Sequence, residues 1–340
     1  MAQRSYGIDF GTSTIKISKK GQGIVLDERN MIAVADRHAI IATGNEAYDM
    51  YEKAPANIVV SSPVRSGVIA DVANMTALFV HFIKKLSGSK KPGPADYIVA
   101  TPTDITEVER RSFYELISRS SLKVGRVKIV DKPIADALGA GLEIMTAGGV
   151  MIVDIGADTT EVSIISLGGI VLSKLIPIGG NKLDEAIKGM VKKKHNLYIG
   201  DKTAENIKKK LASALPTVEA SVQVYGRDVV TGLPVLMEIH SGTVYEAIAE
   251  HLYSIVDAIR IILERTPPEI ASDIIDSGIY VTGGSANIFE IKGLIAKETG
   301  LKVNICEDPA NTVAKGLGRI MDEEQLSSLA DSLRIKNLID

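Results

Sequence analysis

Several residue types and sequence features are scarce or missing in this chain of 340 residues, and each absence excludes a class of protein. The one cysteine, Cys306, rules out an intrachain disulfide and fits a reducing compartment. No apolar run approaches the roughly 20 residues of a membrane-spanning helix, and the first residues enter a predicted strand too early for a signal peptide. The five histidines lack metal-ligand spacing, so no histidine-cysteine metal site is predicted.

Three common catalytic signatures are also absent: Gly-x-x-x-x-Gly-Lys-Ser/Thr, His-Glu-x-x-His and Gly-x-Ser-x-Gly. The formal net charge of -3 gives no electrostatic reason to expect nucleic acid. Two lysine runs, 192–194 and 208–210, have no interleaved aromatic residues that could stack on bases, so nucleic acid is not an expected partner. A cytoplasmic, soluble protein is the expectation, and the 45% of hydrophobic residues provides ample material for packed cores.

The most informative stretch is 151–165, where apolar runs flank Asp154-Ile155-Gly156-Ala157-Asp158-Thr159. β-Branched residues fill both arms and a permissive glycine lies between them, which predicts a strand, a tight turn and a second strand. Backbone N–H groups in such a turn can bind a phosphate, and the neighbouring aspartate can hold Mg²⁺.

Residues 6–17 repeat the order Asp-x-Gly-x-x-Thr, beginning at Asp9. One copy alone is best interpreted as an ordinary hairpin. Two copies at a spacing of domain size predict two similar halves, each offering an Asp-bearing hairpin to a shared nucleotide.

The hydrophobic pattern around these hairpins predicts an α/β chain in which strand–helix alternation follows each antiparallel meander. Predicted strands cover 97–100, 127–130, 279–282 and 303–306; predicted helices cover 71–86, 133–145, 183–195, 241–264 and 312–321, with another beginning near 107. Two less regular stretches, 31–60 and 199–240, are predicted insertions at the same relative place in each half. Pro267-Pro268 is expected to end the long helix. Leu326, Leu329 and Leu333 indicate a C-terminal amphipathic tail, docked or frayed.

Taken together, these residues resemble one known family. The chain is similar to the superfamily of actin, sugar kinases and seventy-kilodalton heat-shock ATPases, and within it to the MreB family of bacterial actins. The stretches that carry the resemblance run in order over nearly the whole length: Ile8-Asp9-Phe10-Gly11-Thr12, Gly23-Ile24-Val25-Leu26, Asn57-Ile58-Val59, Gly67-Val68-Ile69-Ala70-Asp71, Val108-Glu109-Arg110-Arg111, Val153-Asp154-Ile155-Gly156, Thr159-Thr160-Glu161-Val162, Asp184-Glu185-Ala186-Ile187, Thr266-Pro267-Pro268-Glu269, Asp273-Ile274-Ile275 and Thr282-Gly283-Gly284.

The resemblance implies an actin-like α/β fold made of two duplicated ribonuclease-H-like halves, each with an inserted subdomain, and a nucleotide in the cleft between them. The expected boundaries are 1–30, 64–142 and 310–340 for the first core and 31–63 for its insertion. The second core is expected at 143–180 and 243–309, with its insertion at 181–242.

The resemblance further implies a site for ATP and Mg²⁺. Asp9 and Asp154 would hold the metal and its waters, and the expected catalytic set adds Glu109, Thr159 and Thr160. The residues expected to bind the nucleotide are Gly11, Thr12, Ser13, Gly156, Ala157 and Asp158 at the phosphates, Lys210 at the ribose, and Thr282, Gly283, Gly284 and Ser285 beside the adenosine. Glu109 matches the glutamate that orients the attacking water. It also completes a capping box with Thr106, and both interpretations stay open.

Four parts of the sequence depart from the family pattern. Gly156-Ala157-Asp158 stands where three glycines are usual, and both the added Cβ atoms and the charge of Asp158 are expected to weaken phosphate binding. Lys210 replaces a glutamate and cannot accept hydrogen bonds from ribose hydroxyls. Ser285 replaces the third glycine of the adenosine loop, and Asn181 replaces a common aspartate. Together these changes indicate a slow or absent ATPase.

The leading hypothesis is an actin-like ATPase that polymerises head to tail and helps determine bacterial cell shape by organising cell-wall synthesis. The alternatives are a regulatory MreB-like paralogue that acts by copolymerisation, a plasmid-segregation actin and, less favoured, a small-molecule kinase.

Expected partners are the chain itself, MreB-like paralogues and membrane proteins of cell-wall synthesis. The expected location is the cytoplasm, with the inner face of the cell membrane as a further option. Direct insertion is not favoured, because the loop at 87–94 carries lysines but no large apolar residue and the N-terminus is too short for an amphipathic helix.

Overall fold

The computed structural model describes residues 4–36, 39–216 and 219–331. The chain forms two compact units. The first contains the described residues of 1–147, 165–170 and 311–340, and the second contains residues 148–164 and 171–310. Each unit holds one five-stranded sheet and one three-stranded sheet.

The first unit is built around a sheet of order β10-β9-β1-β2-β3. The strands of this unit are β1 Arg4–Phe10, β2 Thr14–Lys19, β3 Gly23–Arg29, β4 Ile32–Ala35, β5 Ala39–Thr43, β6 Ile58–Ser61, β7 Val64–Arg65, β8 Val68–Ile69, β9 Ala95–Thr101 and β10 Val124–Asp131. Its helices are α1 Gly44–Met50, α2 Val72–Ser87, α3 Glu107–Ser118, α4 Lys132–Gly139 and α10 Thr312–Asp322, followed by a 3-10 helix at Glu324–Leu329.

The second unit is built around a sheet of order β13-β12-β11-β17-β18. Its strands are β11 Val150–Ile155, β12 Thr160–Ser166, β13 Gly169–Ile176, β14 Leu197–Tyr198, β15 Ser221–Asp228, β16 Pro234–His240, β17 Ile279–Thr282 and β18 Val303–Ile305. Its helices are α5 Gly180–His195, α6 Asp201–Leu211, α7 Ser241–Glu264, α8 Pro268–Ser277 and α9 Ile291–Thr299, with a 3-10 helix at Gly284–Asn287.

The two large sheets have the same topology. In each, the first strand lies in the centre, with its hairpin partner on one side and a parallel strand on the other: β1 lies between β2 and β9, and β11 between β12 and β17. Asp9 is opposite Ala100 of β9, and Asp154 is opposite Thr282 of β17. Both aspartates therefore lie near the carboxyl ends of parallel strands, the edge at which open α/β sheets bind ligands.

The three-stranded sheets occupy the stretches predicted to be irregular. In the first unit, β4 pairs with both β5 and β6, and the alanines Ala33, Ala42 and Ala47 form a small core beneath α1. In the second unit the order is β14-β15-β16. In the first unit, short strands that bury small residues explain why the sequence pattern is weak.

Most predicted elements are present, and two features differ from the prediction. The helix predicted over 133–145 ends at Gly139, and Gly141 adopts a φ of +79°, a left-handed conformation that glycine tolerates. Pro267-Pro268 follows the end of α7 as expected. Pro268 also begins α8, a helix that the sequence did not predict, since proline is well suited to the first helical position. Leu326 is buried in the last 3-10 helix, and Leu333 lies outside the described residues.

The C-terminal helix α10 completes the first unit by packing against α4. A Cβ atom on Gly139 would collide with the carbonyl oxygen of Thr312, and one on Gly316 would collide with that of Ala135. The two helices therefore touch backbone to backbone, and only glycine permits that approach.

Candidate functional site

The first candidate element is the turn between β1 and β2. Asp9 is half-buried near the end of β1, and the turn residues Gly11, Thr12 and Ser13 are all partly exposed. A Cβ atom on Gly11 would lie 2.7 Å from the carbonyl oxygen of Thr14, so a side chain here would force the turn open.

Other segments of the chain donate hydrogen bonds to the carbonyl groups of this turn. Asn30 donates its side-chain amide to the Gly11 oxygen at 2.7 Å and its backbone N–H to the Ser13 oxygen at 3.0 Å. The Ser62 hydroxyl shares its proton between the carbonyls of Thr12, at 3.1 Å, and Val64, at 3.0 Å. In a planar trans peptide the N–H points opposite to the C=O. The N–H groups that follow these carbonyls therefore point away from Asn30 and Ser62, an arrangement suited to an anion.

The second candidate element, the turn between β11 and β12, is held in the same manner. The Gly156 N–H closes the turn on the Thr159 carbonyl at 2.9 Å. The Gly156 carbonyl accepts from the Gly180 N–H and the Ser285 hydroxyl, both at 3.0 Å, and the Ala157 carbonyl accepts from the Asn181 N–H at 2.7 Å. The start of α5 thus fixes the second turn and directs the N–H groups of the peptides to the other side.

Two of the departures from the family pattern contact each other. The side-chain amide of Asn181 donates to Oδ1 of Asp158 at 2.7 Å. An aspartate at position 181 would place a second carboxylate at this distance, so Asn181 removes a repulsion that Asp158 would otherwise create. The negative charge of Asp158 stays beside the turn.

The segment that follows β17 lies directly against Asp154. Gly283 has a φ of +82°, and a Cβ atom there would collide with Oδ1 of Asp154 and the carbonyl oxygen of Ile155. A Cβ on Gly284 would meet nothing within 4 Å. Asp154 is only 7% exposed, so Gly283 and Thr282 form part of the wall around its carboxylate.

The two threonines and the glutamate predicted to be catalytic lie in three different surroundings. Thr159 is partly exposed at the end of the second turn, whereas Thr160 is fully buried and donates its hydroxyl to the Ile178 carbonyl at 2.7 Å. Glu109 forms the capping box of α3: its Oε2 accepts from the N–H and the hydroxyl of Thr106 at 2.7 and 2.8 Å. Its Oε1 is the oxygen left for orienting a water.

Lys210 is exposed in the last turn of α6, and the lysine that approaches the second turn is Lys208. Its Nζ donates to Oδ2 of Asp184 at 2.6 Å and to the Gly180 carbonyl at 2.7 Å. Oδ1 of Asp184 is buried without a hydrogen-bond partner among the described residues. Burial raises the pKa of Asp184 to about 6, and the nearby ammonium of Lys208 offsets this only in part.

Sequence reasoning missed the residues that hold the turns. Asn30, Ser62 and Lys208 belong to elements distant in the chain, and no local motif marks them. Asp184 lies within one of the stretches that carry the family resemblance, but nothing in that stretch indicated its pairing with Lys208.

The donor chemistry of both turns fits a magnesium nucleotide. No group of three or more His, Cys, Asp or Glu side chains in the described part of the chain could hold a metal ion. Each unit instead offers one aspartate, Asp9 or Asp154, beside a turn whose N–H groups suit phosphate. Mg²⁺ is commonly bound by one or two carboxylates together with waters and substrate phosphates, so these residues fit it.

The duplicated sheets and paired turns define an actin-like protein, and comparison with solved structures agrees. The MamK double helical filament matches with a TM-score of 0.78 at 19% identity over 94% of this chain and 98% of that one, which shows the fold alone. The chain belongs to the MreB/Mbl family, whose model, described as MreB/Mbl protein, matches residues 3–328. The resemblance and fold predicted from the sequence are thereby confirmed.

Named relatives cover almost the whole chain. The cell shape-determining protein Mbl of Bacillus subtilis is 39% identical over 95% of this chain and 97% of its own length. The cell shape-determining protein MreB of Escherichia coli is 38% identical over 95% and 94%. The crystal structure of MreB5 of Spiroplasma citri bound to ADP matches with a TM-score of 0.90 at 33% identity, covering 96% of this chain and 98% of that one. The same protein bound to AMPPNP matches with a TM-score of 0.87.

Proposed function

We propose that this chain is a nucleotide-binding cytoskeletal protein that polymerises with itself and helps determine bacterial cell shape by organising cell-wall synthesis. Membership of the MreB/Mbl family supports the cell-shape role. The observation that carries nucleotide binding is the pair of turns, one in each unit, whose carbonyls are held by the protein so that their N–H groups are available to phosphate. Head-to-tail contact is heterologous and propagates into a filament.

The nucleotide we propose is ATP with Mg²⁺. Asp9 and Asp154 would hold the metal through its waters, and the turns at 11–13 and 156–158 would bind phosphate. When bound, Mg²⁺ supplies positive charge that neutralises the phosphate oxygens. Thr282, Gly283, Gly284 and Ser285 would lie near the adenosine. Lys210, exposed in the last turn of α6, would lie at the ribose, and we add Lys208, whose Nζ donates to the Gly180 carbonyl, to the residues near the nucleotide.

A second candidate is a regulatory paralogue that binds nucleotide weakly and acts by copolymerising with other MreB-like proteins. Asp158 favours it, because a carboxylate beside the phosphate turn repels phosphate. The proposed partners in either case include such paralogues and membrane proteins of cell-wall synthesis. The proposed location is the cytoplasm or the inner face of the membrane, and we keep 31–63 and 181–242 as the proposed inserted subdomains.

The experiment that tests the proposal is pelleting of purified protein with Mg-ATP, with Mg-ADP and without nucleotide, with phosphate release measured in the same tubes. We expect ATP-dependent pelleting accompanied by slow phosphate release. Pelleting that ignores nucleotide, without phosphate release, would support the regulatory paralogue. No pelleting alone or with a second MreB-like protein would contradict both candidates.

A further inference from the structure

The end of β3 connects the first phosphate turn to the small sheet of the same unit. Three consecutive residues make the connection: Glu28, Arg29 and Asn30. Asn30 holds the turn carbonyls, as described above. Glu28 accepts from the N–H of Asn45 at 3.0 Å and from Lys85 at 2.7 Å, which ties the start of α1 to β3 and α2.

Arg29 contacts both sides of this connection with its own side chain. Its Nη1 donates to the Ser13 hydroxyl oxygen at 2.9 Å, and its guanidinium carbon lies 4.1 Å from the centre of the Tyr48 ring. Its backbone N–H also donates to Oδ1 of Asn45 at 3.2 Å. One side chain thus spans from the phosphate turn to the middle of α1.

The direction of the hydrogen bond at Ser13 is informative. A guanidinium can only donate, so the Ser13 oxygen is the acceptor and its own O–H stays available as a donor. A phosphate oxygen is a strong acceptor for that O–H. A hydroxyl that donates to an anion becomes a better acceptor, so phosphate at Ser13 strengthens the bond from Arg29.

The effect of phosphate on Arg29 extends to α1 through Tyr48. The attraction between phosphate and guanidinium charge restricts the rotamers of Arg29, and the restricted guanidinium lies over the Tyr48 ring in a cation–π contact. Tyr48 belongs to the helix whose Ala47 packs on the alanine core of β4 and β5. A change in the order of Arg29 therefore acts on α1 and on the small sheet β5-β4-β6.

We propose that Arg29 is a positioning residue that couples phosphate binding at Ser13 to the order of α1 and the small sheet. This inference rests on the proposed nucleotide binding and specifies how that event is transmitted within the first unit. Coupling of this kind is reciprocal, so loosening α1 also weakens the nucleotide.

The test measures hydrogen exchange of the full chain with and without Mg-ATP, together with nucleotide affinity by titration. In the wild-type chain we expect Mg-ATP to slow exchange in peptides covering 39–50 by about threefold or more, a change that corresponds to a modest coupling. Arg29→Ala should abolish that change and weaken nucleotide about tenfold or more, as loss of a charge-assisted hydrogen bond does.

Matched variants separate coupling from a general loss of structure. Tyr48→Leu leaves the Ser13 contact in place and should abolish the exchange response with a smaller loss of affinity, while Tyr48→Phe keeps the ring and should retain the response. Ser13→Ala combined with Arg29→Ala should cost little more affinity than Ser13→Ala alone, because Ser13→Ala already removes the oxygen through which Arg29 acts. Arg119→Ala, an exposed arginine that pairs with Glu115, should behave as wild type.

The outcomes also separate this inference from the proposed function. A wild-type chain that does not bind Mg-ATP in the titration would overturn the proposed function itself. If the wild-type chain binds Mg-ATP but exchange at 39–50 does not slow, the coupling alone is overturned. The same conclusion follows if Mg-ATP slows exchange at 39–50 in Arg29→Ala or Tyr48→Leu as much as in the wild type.

Discussion

At the residue scale, Gly283 and Gly284 are neighbours with opposite tolerance of a side chain. Gly283 combines a positive φ with the close approach of Asp154, whereas the space around Gly284 is open. The sequence shows two equivalent glycines, and only the fold distinguishes them, through the positive φ of Gly283 and its closeness to Asp154 and Ile155.

We therefore expect Gly283→Ala to be damaging and Gly284→Ala to be nearly neutral. An L-residue at the φ of 82° and ψ of 159° of Gly283, a combination that is essentially restricted to glycine, costs about 1–3 kcal/mol, and the new methyl group must also displace Asp154. Gly283→Ala should lower the thermal midpoint by several degrees and weaken Mg-nucleotide roughly tenfold or more. Thermal unfolding and nucleotide titration of the two variants check this. Equal behaviour of the pair would contradict the close approach at Asp154.

The two candidate turns could be predicted from the sequence, but the residues that donate hydrogen bonds to their carbonyl groups could not. Asp9, Gly11 and Gly156 belong to a local Asp-x-Gly pattern that a tight turn requires. Asn30 and Ser62 come from other segments, and their amide and hydroxyl groups carry no signal until the fold brings them to the turn carbonyls.

At the element scale, the start of α3 decides between two interpretations of Glu109. The capping box is present, so Glu109 has a structural role. We expect Thr106→Ala and Glu109→Ala each to lower the free energy of unfolding by about 1 kcal/mol, because each removes the same reciprocal cap.

Phosphate release measured on the same two variants tests the catalytic role. Loss of release in Glu109→Ala but not in Thr106→Ala would identify Glu109 as the residue that orients water. Unchanged phosphate release in both variants would show that Glu109 contributes only the helix cap.

The contact between α5 and α6 predicts a pH dependence. Burial raises the pKa of Asp184 from 3.8 to about 6, so between these values the folded chain holds a proton that the unfolded chain has released. The contribution of Asp184 to the free energy of unfolding is therefore fully present below pH 4 and is lost as the pH rises through 6. The loss is at most about 3 kcal/mol.

Asp184→Asn removes this titration, so its unfolding free energy should fall less than that of the wild type between pH 4 and 6. Denaturant unfolding at several pH values measures the difference. Glu185→Gln, which changes the exposed neighbouring carboxylate, should keep the wild-type slope. A wild-type slope in Asp184→Asn would show that Lys208 keeps the carboxylate ionised.

Element prediction succeeded where apolar periodicity was long and failed where it was short. The pattern in α7 repeats over 24 residues and predicted Ser241–Glu264 correctly. In α8 only Ile274 is buried, so a ten-residue helix gave too little signal.

At the scale of the whole molecule, the charged loop after α2 is one described surface that bears on contact with a membrane. Among the described residues, none of the helices has the length and apolar character that crossing a membrane requires. The loop after α2 begins at Gly88 in a left-handed conformation and exposes Lys90 and Lys91.

We expect sedimentation with anionic vesicles at low salt only, and none with neutral vesicles, because lysine attraction to the bilayer is screened by salt. Lys90→Glu with Lys91→Glu should abolish the residual binding, and Lys53→Glu provides an exposed control. Salt-resistant binding to neutral vesicles would show that an apolar segment inserts.

The duplication of the fold was predictable because both halves repeat the same Asp-bearing turn and strand order. The return of 310–340 to the first half was expected from the family resemblance alone, because hydrophobic patterning does not reveal the glycine contacts between α4 and α10.

That returning helix has a consequence for synthesis on the ribosome. The second unit lies almost entirely in one continuous stretch, 148–310, whereas the first lacks α10 until the last tenth of the chain has been made. The second unit is therefore complete in the sequence before α10 is made, and until α10 docks the α4 surface of the first unit stays uncovered. Newly made chains would therefore expose that surface to chaperones until Gly316 has left the exit tunnel.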